Sequence, residues 1–308
     1  MDDNQLTIIQ YPGGLDQIKA LVIDGLTSPH SKTAYAHAIT DFIAWYQASG
    51  YNAVTKAVVN AYKAHLQGNT EYSPSTINLR LSAIRRLAKE AADNGVIGEV
   101  YANGIANVKG VTKEGVRSGN WLTLEQAQAL INTPDKTRLK GMRDRAILAV
   151  MIGCGLRRSE VAGLQFSHIQ QRDGRWVIID LLGKRNRLRS VPVPNWAKAA
   201  IDEWTLTANI HEGYIFRPVN KGDSLQGEKL TSQAIQNTVK QYAAACGFEL
   251  AAHDLRRTFA QLARKASAPI DQIQLTLGHK SVQTTELYLG TKQDLITAPC
   301  DLININLD

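Results

Sequence analysis

Residues His253–Tyr288 read HDLRRTFAQLARKASAPIDQIQLTLGHKSVQTTELY, and the segmentation of this stretch decides the fold. Helical spacing is expected over about 254–267, 270–277 and 281–289. His253 and Arg256 stand three residues apart, so they share one face at a helix start. That helix N-terminus favours an anion, and Asp254 is placed to cap it. His279 follows a glycine and Tyr288 lies in the last of the three helices. Two imidazoles, a guanidinium and a phenol are the parts needed to hold a phosphate group and attack it.

Two earlier segments extend the set. GCGLRRSEVAGL, residues 153–164, supplies Arg157 at the mouth of a buried helix expected over 138–153, with a short helix 158–164 behind it. LLGKRNRLRSVPVP, residues 181–194, supplies Lys184. Trp176–Leu182 and Arg187–Val193 read as strands, the first preceded by the tight-turn signal Arg172-Asp-Gly-Arg175, with Gly183–Asn186 as the hairpin tip. Thr123 and Gln126 form a capping box that opens a helix over 124–132, and further helices are expected at 195–208 and 232–246.

A phosphodiester resists attack because its negative charge repels nucleophiles. Arginine suits its neutralisation, since the planar fork donates two hydrogen bonds to one phosphate and stays charged at any workable pH. Arg157 and Arg256 are the two candidate forks. Lys184, crowded by arginines at a hairpin tip, would have its pKa lowered, which favours giving a proton to a leaving oxygen. Tyr288 is the candidate nucleophile; there is no GxSxG elbow and no Cys-His pairing. Taken singly, each residue has an ordinary structural explanation: Arg157 can pair with Glu160, and a hairpin tip is often charged for solubility. The joint occurrence, in this order, outweighs those explanations.

The N-terminal part reads as a separate helical bundle. After a tail ending at Pro12-Gly13-Gly14, Leu15, Ile18, Leu21 and Val22 repeat at helical spacing. Ser28-Pro29 opens a helix burying Tyr35, Ile39, Phe42, Ile43 and Tyr46; a third runs about 55–67; Ser73-Pro74 opens a fourth that stops at Asn94-Gly95. The fourth carries Arg80, Arg85, Arg86 and Lys89, either a solvated face or a face laid along a DNA backbone. Residues 106–120 lose periodicity and gain glycine and charge, as a linker does.

At 308 residues and 44% hydrophobic content the chain can fill two cores. Its net charge of +7 is uneven: residues 1–110 hold 9 Lys+Arg against 9 Asp+Glu, and residues 111–308 hold 26 against 19. The basic part suggests a polyanionic partner. Cys154, Cys246 and Cys300 form no CxxC pair, which fits a reducing cytoplasm, and the acidic, polar start is not a secretory signal. The longest apolar run, Ala146–Leu156, is too short to span a bilayer, so no membrane partner is expected. The histidines are scattered, with no HExxH and no acidic triad, so neither metal nor other cofactor is expected.

With these segments in view, the chain resembles the tyrosine recombinases, the phage-integrase type of site-specific recombinase. The resemblance rests on GLRRSE (155–160), the GK hairpin with its following VPVP (183–194), HDLRRTFA (253–260) and LGHKSVQTTELY (277–288). It implies a mainly α fold with a small antiparallel β-sheet, made of an N-terminal core-binding, SAM-like helical bundle (1–110) and a catalytic domain (118–308). It implies that Tyr288 forms a 3′-phosphotyrosine link, that Arg157 and Arg256 hold the phosphate, and that His253 and His279 hydrogen-bond to it and assist proton transfer. Lys184 would be the acid for the 5′-hydroxyl and Glu160 a support that orients Arg157 or a neighbour. Arg80, Arg85, Arg86, Lys89, Arg185, Arg187, Arg257 and Lys280 are the candidate DNA contacts. Arg185 departs from the family's usual GKG hairpin.

The partner implied is double-stranded DNA, engaged in the cytoplasm at the nucleoid by four protomers, two on each duplex. These would be copies of this chain or this chain with a paralogue, with the tail that ends DLININLD packed on a neighbour. A first helix near residue 15 leaves no room for an arm-binding domain before it, which favours an enzyme acting on short core sites. The alternatives weighed are a type IB topoisomerase-like nicking-closing enzyme and a catalytically silent, sequence-specific DNA-binding protein.

Overall fold

The computed structural model describes residues 14–69, 71–112, 120–182 and 188–290. The chain divides into two compact units, Met1–Val116 and Arg117–Asp308. It is mainly helical, with one small antiparallel sheet.

The first unit holds α1 (Gly14–Asp24), α2 (Pro29–Ala48), α3 (Lys56–Gly68), α4 (Pro74–Asp93) and α5 (Glu99–Ala106). Ser28, Thr55 and Ser73 cap α2, α3 and α4 by accepting from the amides of Ser31, Val58 and Thr76. Their apolar stripes meet in one core that includes Ile39, Phe42, Tyr62, Leu81 and Ile84. Of the residues at helical spacing in α1, Ile18 and Val22 are buried whereas Leu21 is 44% exposed.

Two features differ from the reading of the sequence. Helix α5 was not anticipated: it is short, and its N-cap, Gly98, offers no side chain to announce it. The expected linker also begins later. Asn78 of α4 clamps both backbone groups of Val111, donating to its carbonyl at 2.9 Å and accepting from its amide at 2.7 Å, while Val108 is buried. Residues 107–111 therefore belong to the first unit.

The second unit holds α6 (Leu124–Asn132), α7 (Leu139–Cys154), α8 (Arg158–Ala162), β1 (Ile169–Arg172), β2 (Arg175–Leu182), β3 (Leu188–Pro192), α9 (Asn195–Thr207), α10 (Ser232–Ala245), α11 (Ala252–Lys265), α12 (Ile270–Leu277) and α13 (Val282–Leu289). The three strands are antiparallel in the order β1-β2-β3. Asp173 and Gly174, with φ of 47° and 75°, form the two-residue turn that pairs Arg172 with Arg175, so the expected turn signal also brings in β1. Helix α7 is buried on all sides and packs on α9 and α11; every residue from Ala146 to Met151 is fully buried. Trp204 of α9, also fully buried, donates its indole N–H to the Ile215 carbonyl at 2.9 Å, so the large ring enters the core with its polar atom satisfied. A smaller core of Ala260, Ile273, Leu277 and Leu289 ties α11, α12 and α13 together, with Phe259 and Tyr288 against it. That cluster positions the candidate nucleophile.

Helix α7 ends at Gly155 in the left-handed conformation, with φ of 60°, and a Cβ there would lie 2.6 Å from the Phe259 ring. Gly155→Ala should therefore cost more stability than the roughly 1–2 kcal/mol of left-handed strain alone. Gly247→Ala, at φ of 76° with open space around it, should cost only the strain. Chemical denaturation of the two variants checks the order; equal losses would show that the Phe259 contact contributes nothing.

Candidate active site

The turn at Gly155 places Arg157 as the N-cap of α8. Glu160, three residues on, accepts the Arg157 backbone N–H at 2.8 Å and the Arg157 guanidinium at 2.7 Å. The Arg157 side chain remains about one-third exposed, at 32%, whereas the Glu160 side chain is nearly buried. From β3, Arg189 reaches the same carboxylate with both terminal nitrogens, at 2.9 and 2.8 Å, and donates its Nε–H to the Thr276 carbonyl at 2.9 Å. Glu160 thus sits between two guanidiniums.

Arg256 is buried in α11, 1% exposed. Its two terminal nitrogens donate to the carbonyls of Gly155 and Leu277, leaving the buried Nε without a protein partner. Arg157 shares the Leu277 carbonyl at 3.5 Å. A cavity of about 430 Å³ opens here, lined by Arg157, Arg158, Ser159, His253 and Arg256 among others. Beside it, the Tyr288 ring packs edge-on to His253 and His279, with centroids 5.5 and 5.2 Å away. The Arg257 guanidinium lies 5.1 Å from the same ring. The Tyr288 hydroxyl donates to the His253 carbonyl at 3.4 Å. Nδ1 of His279 pairs with the buried Thr285 hydroxyl at 3.0 Å. Side chains more than 130 residues apart in sequence meet at one spot.

The phage integrase family matches residues 120–294, and the N-terminal SAM-like domain of phage integrases matches residues 19–96. The chain belongs to the phage integrase family of tyrosine recombinases. It is 31% identical to tyrosine recombinase XerC of Haemophilus influenzae (strain ATCC 51907 / DSM 11121 / KW20 / Rd) over 277 residues, covering 87% of this chain and 88% of that protein. Its fold is similar to that of the XerH site-specific recombinase bound to palindromic difH substrate in a post-cleavage complex (TM-score 0.71, 19% identity, 90% of this chain and 81% of that one). It is also similar to a lambda integrase tetramer bound to a Holliday junction (TM-score 0.68, 17% identity, 92% and 79%). The chain is accordingly a tyrosine-type site-specific recombinase.

Within this tyrosine recombinase, Arg157, Glu160, His253, Arg256, His279 and Tyr288 come together as described. Lys184, Arg185 and Arg187 fall in residues 183–187, and the tail in residues 291–308, both outside the described residues. Arg257 adjoins Tyr288, and Lys280 is exposed just before α13. The α4 cations divide. Arg80 is committed within its own unit: it pairs with Asp41 at 2.6 Å, donates to the Tyr62 and Tyr72 hydroxyls and lies over the Tyr72 ring. Arg85 donates to the Val108 carbonyl. Arg86 and Lys89 are exposed. Asp254 accepts from the Ala251 amide at 2.8 Å, so it does brace the start of α11.

Two residues escaped the sequence reading. Arg189 lies two residues before the buried Val191, which puts it on the inward face of β3. That period of two was the available signal. Thr285, fully buried behind His279, had no signal apart from its place on a helix.

The electrostatics describe a site with excess positive charge. Burial, then the charges of Arg256 and Arg157, push the His279 pKa down to about 4. His253 is lowered too, by burial first and then by the charges of Arg256 and Arg257. Burial, then Arg157, lowers Arg256 to about 9, which leaves it charged at neutral pH. Burial would raise the Glu160 carboxyl, but hydrogen bonds and charge from Arg189 and Arg157 outweigh it and hold the pKa low. Burial raises the Tyr288 phenol to about 12 against the opposing pull of Arg256 and Arg257. Among the described residues no helix is long and apolar enough to cross a membrane.

Because His279 titrates near 4 when folded and near its ordinary 6.5 when unfolded, the unfolded chain takes up this proton first as pH falls. Its contribution to stability should be intact above about pH 6.5 and decline as pH drops toward 4. A bound phosphodiester should raise the folded pKa again. Titration of the imidazole by NMR, with and without duplex DNA, checks both; an unshifted pKa in the free protein would contradict the first.

Proposed function

We propose that this recombinase cuts and rejoins double-stranded DNA through a covalent bond from Tyr288 to phosphorus. The supporting observation is that Tyr288 is packed between His253 and His279 and lies within the field of Arg256 and Arg157. The phenolic oxygen attacks the scissile phosphate, the Tyr288 Oη–P bond forms and the P–O5′ bond breaks. The products are a 3′-phosphotyrosine and a free 5′-hydroxyl.

Each step follows from the chemistry of the side chains. Arg157 keeps an exposed face from which to grip a nonbridging oxygen, and the Arg256 Nε–H is a buried donor still to be matched. Donors aimed at developing charge are each worth roughly 10²–10³ in rate. His279, neutral at pH 7 with Nδ1 engaged by Thr285, has Nε2 left to serve the phosphate. The Tyr288 phenol is protonated at neutral pH and must give up its proton during attack; His253, beside it, is the nearby group able to accept one. Lys184 donates a proton to the departing 5′-oxygen. The covalent link conserves the energy of the cut strand, so a 5′-hydroxyl from a second duplex reverses the step without ATP. Two rounds between paired sites exchange the strands through a Holliday junction, with two protomers on each duplex. The catalytic unit works in the cytoplasm, where the chromosome is accessible. Arg86, Lys89, Arg185, Arg187, Arg257 and Lys280 contribute phosphate contacts that position the duplex rather than read its bases.

A nicked duplex containing the sequence that this protein protects in its own genomic DNA tests the proposal, because loss of the short fragment beyond the nick traps the intermediate. Wild-type protein should accumulate a covalent DNA adduct that Tyr288→Phe lacks. Arg157→Ala should slow adduct formation about 10²–10³-fold. Lys184→Ala should be slow on ordinary DNA yet recover where sulfur replaces the leaving 5′-oxygen, since a thiolate leaves without a proton. Specific binding with no adduct would instead identify a silent DNA-binding protein, and relaxation of supercoils without exchange between duplexes a nicking-closing enzyme.

A further inference from the structure

We propose that Arg189 is a positioning residue for strand cleavage, acting through Glu160 to keep the charge of Arg157 available to the phosphate. The inference rests on the phosphoryl-transfer reading above and concerns a residue that this reading does not use.

The geometry of the carboxylate carries it. Oε1 of Glu160 accepts from Arg157 Nη1 at 2.7 Å and from Arg189 Nη1 at 2.9 Å. Oε2 accepts from the Arg157 backbone N–H at 2.8 Å and from Arg189 Nη2 at 2.8 Å. Arg157 therefore donates one side-chain bond to Glu160, while Arg189 donates the two-pronged fork that matches a carboxylate best. Both members of the Arg189–Glu160 pair are nearly buried, with side chains 9% and 6% exposed; the Arg157 side chain is 32% exposed. The pair that cancels is thus mainly the inner one, and the outer guanidinium keeps its charge. Were Arg189 absent, Glu160 would have only Arg157 to neutralise it, and the cation facing the phosphate would be spent on its own neighbour.

The fold also fixes Arg189 from behind. Its Nε–H is tied to the Thr276 carbonyl, and Gly278, with φ of 63°, would place a Cβ 2.9 Å from Arg189 Cδ. One side chain on β3 therefore braces the support of Arg157 and packs beneath the glycine that precedes His279. It follows the 183–187 segment that carries Lys184 by two residues. A phosphate-gripping arginine, a histidine and the strand behind the lysine share a single strut.

The test is a double-mutant cycle read as the rate of adduct formation on the nicked duplex. Arg189→Met should slow the reaction about 10–100-fold with DNA binding little changed, because the grip is lost mainly where charge develops. Removing the carboxylate charge as well, in Glu160→Gln/Arg189→Met, should restore much of that loss and make the double variant faster than Arg189→Met. A residue needed only for folding gives the opposite sign: losses that add or worsen, in step with a falling melting temperature. If Arg189→Met does not fold at the assay temperature, Arg189→Gln decides the matter, since it keeps a donor for Glu160 but no charge. A folded Arg189→Gln at wild-type rate overturns the proposal, as does a double variant slower than the single. Wild-type protein forming no adduct would overturn the phosphoryl-transfer reading, and this inference with it; wild-type activity matched by Arg189→Met overturns this inference alone.

Discussion

Like charges repel, and the second unit holds Arg157, Arg189 and Arg256 together around a single carboxylate, that of Glu160. The means are unequal. Arg189 and Arg157 share the Glu160 carboxylate. Arg256, the most deeply buried, has no carboxylate among its hydrogen-bond partners and rests on the carbonyls of Gly155 and Leu277. Desolvating an ion is expensive unless its donors are met, so these carbonyls must be held where the guanidinium needs them. The left-handed Gly155 and the left-handed Gly278 after Leu277 end two helices at the right places to do so. Helix ends leave carbonyls unpaired in any case, and here those orphans become ligands for a cation.

The pKa shifts around this cluster express one physical state. Both histidines and Arg256 are lowered by burial and then by neighbouring positive charge. Each would be relieved by an anion. The same field opposes the burial that raises Tyr288, without overcoming it. The phenol therefore rests protonated, beside imidazoles that are neutral at pH 7. A phenol and two imidazoles thus stand together in a field that an anion would balance. Preorganisation of this kind removes the need to rearrange dipoles during the reaction.

The first unit shows how a cationic helix face can mislead. Four basic residues lie along α4, yet Arg80 pairs with Asp41 and Arg85 donates to the Val108 carbonyl, both inside their own unit. Arg86 and Lys89 are the exposed ones. Charge counted along a helix states how many cations exist, whereas tertiary contacts decide how many are uncommitted.

Local chemistry made most of the architecture legible before any coordinates. Serine or threonine caps, Pro at helix starts and apolar periodicity act within a few residues, so α2, α3, α4, α6 and α13 were placed by their own sequences. The candidate catalytic side chains were legible because their residue types carry scarce chemistry in motifs of a known family. Helix α5 was not, for want of a capping side chain, and neither was the clamp of Asn78 on Val111, whose partners lie 33 residues apart. What only tertiary structure could decide was partnership: that Glu160 divides itself between Arg157 and Arg189, 29 residues away from the latter, and that Arg256 draws on carbonyls 101 and 21 residues distant. Hydrogen bonds and charges act through space, and the sequence orders residues along a chain, so the chemistry of each side chain was there to be read while its neighbours were not.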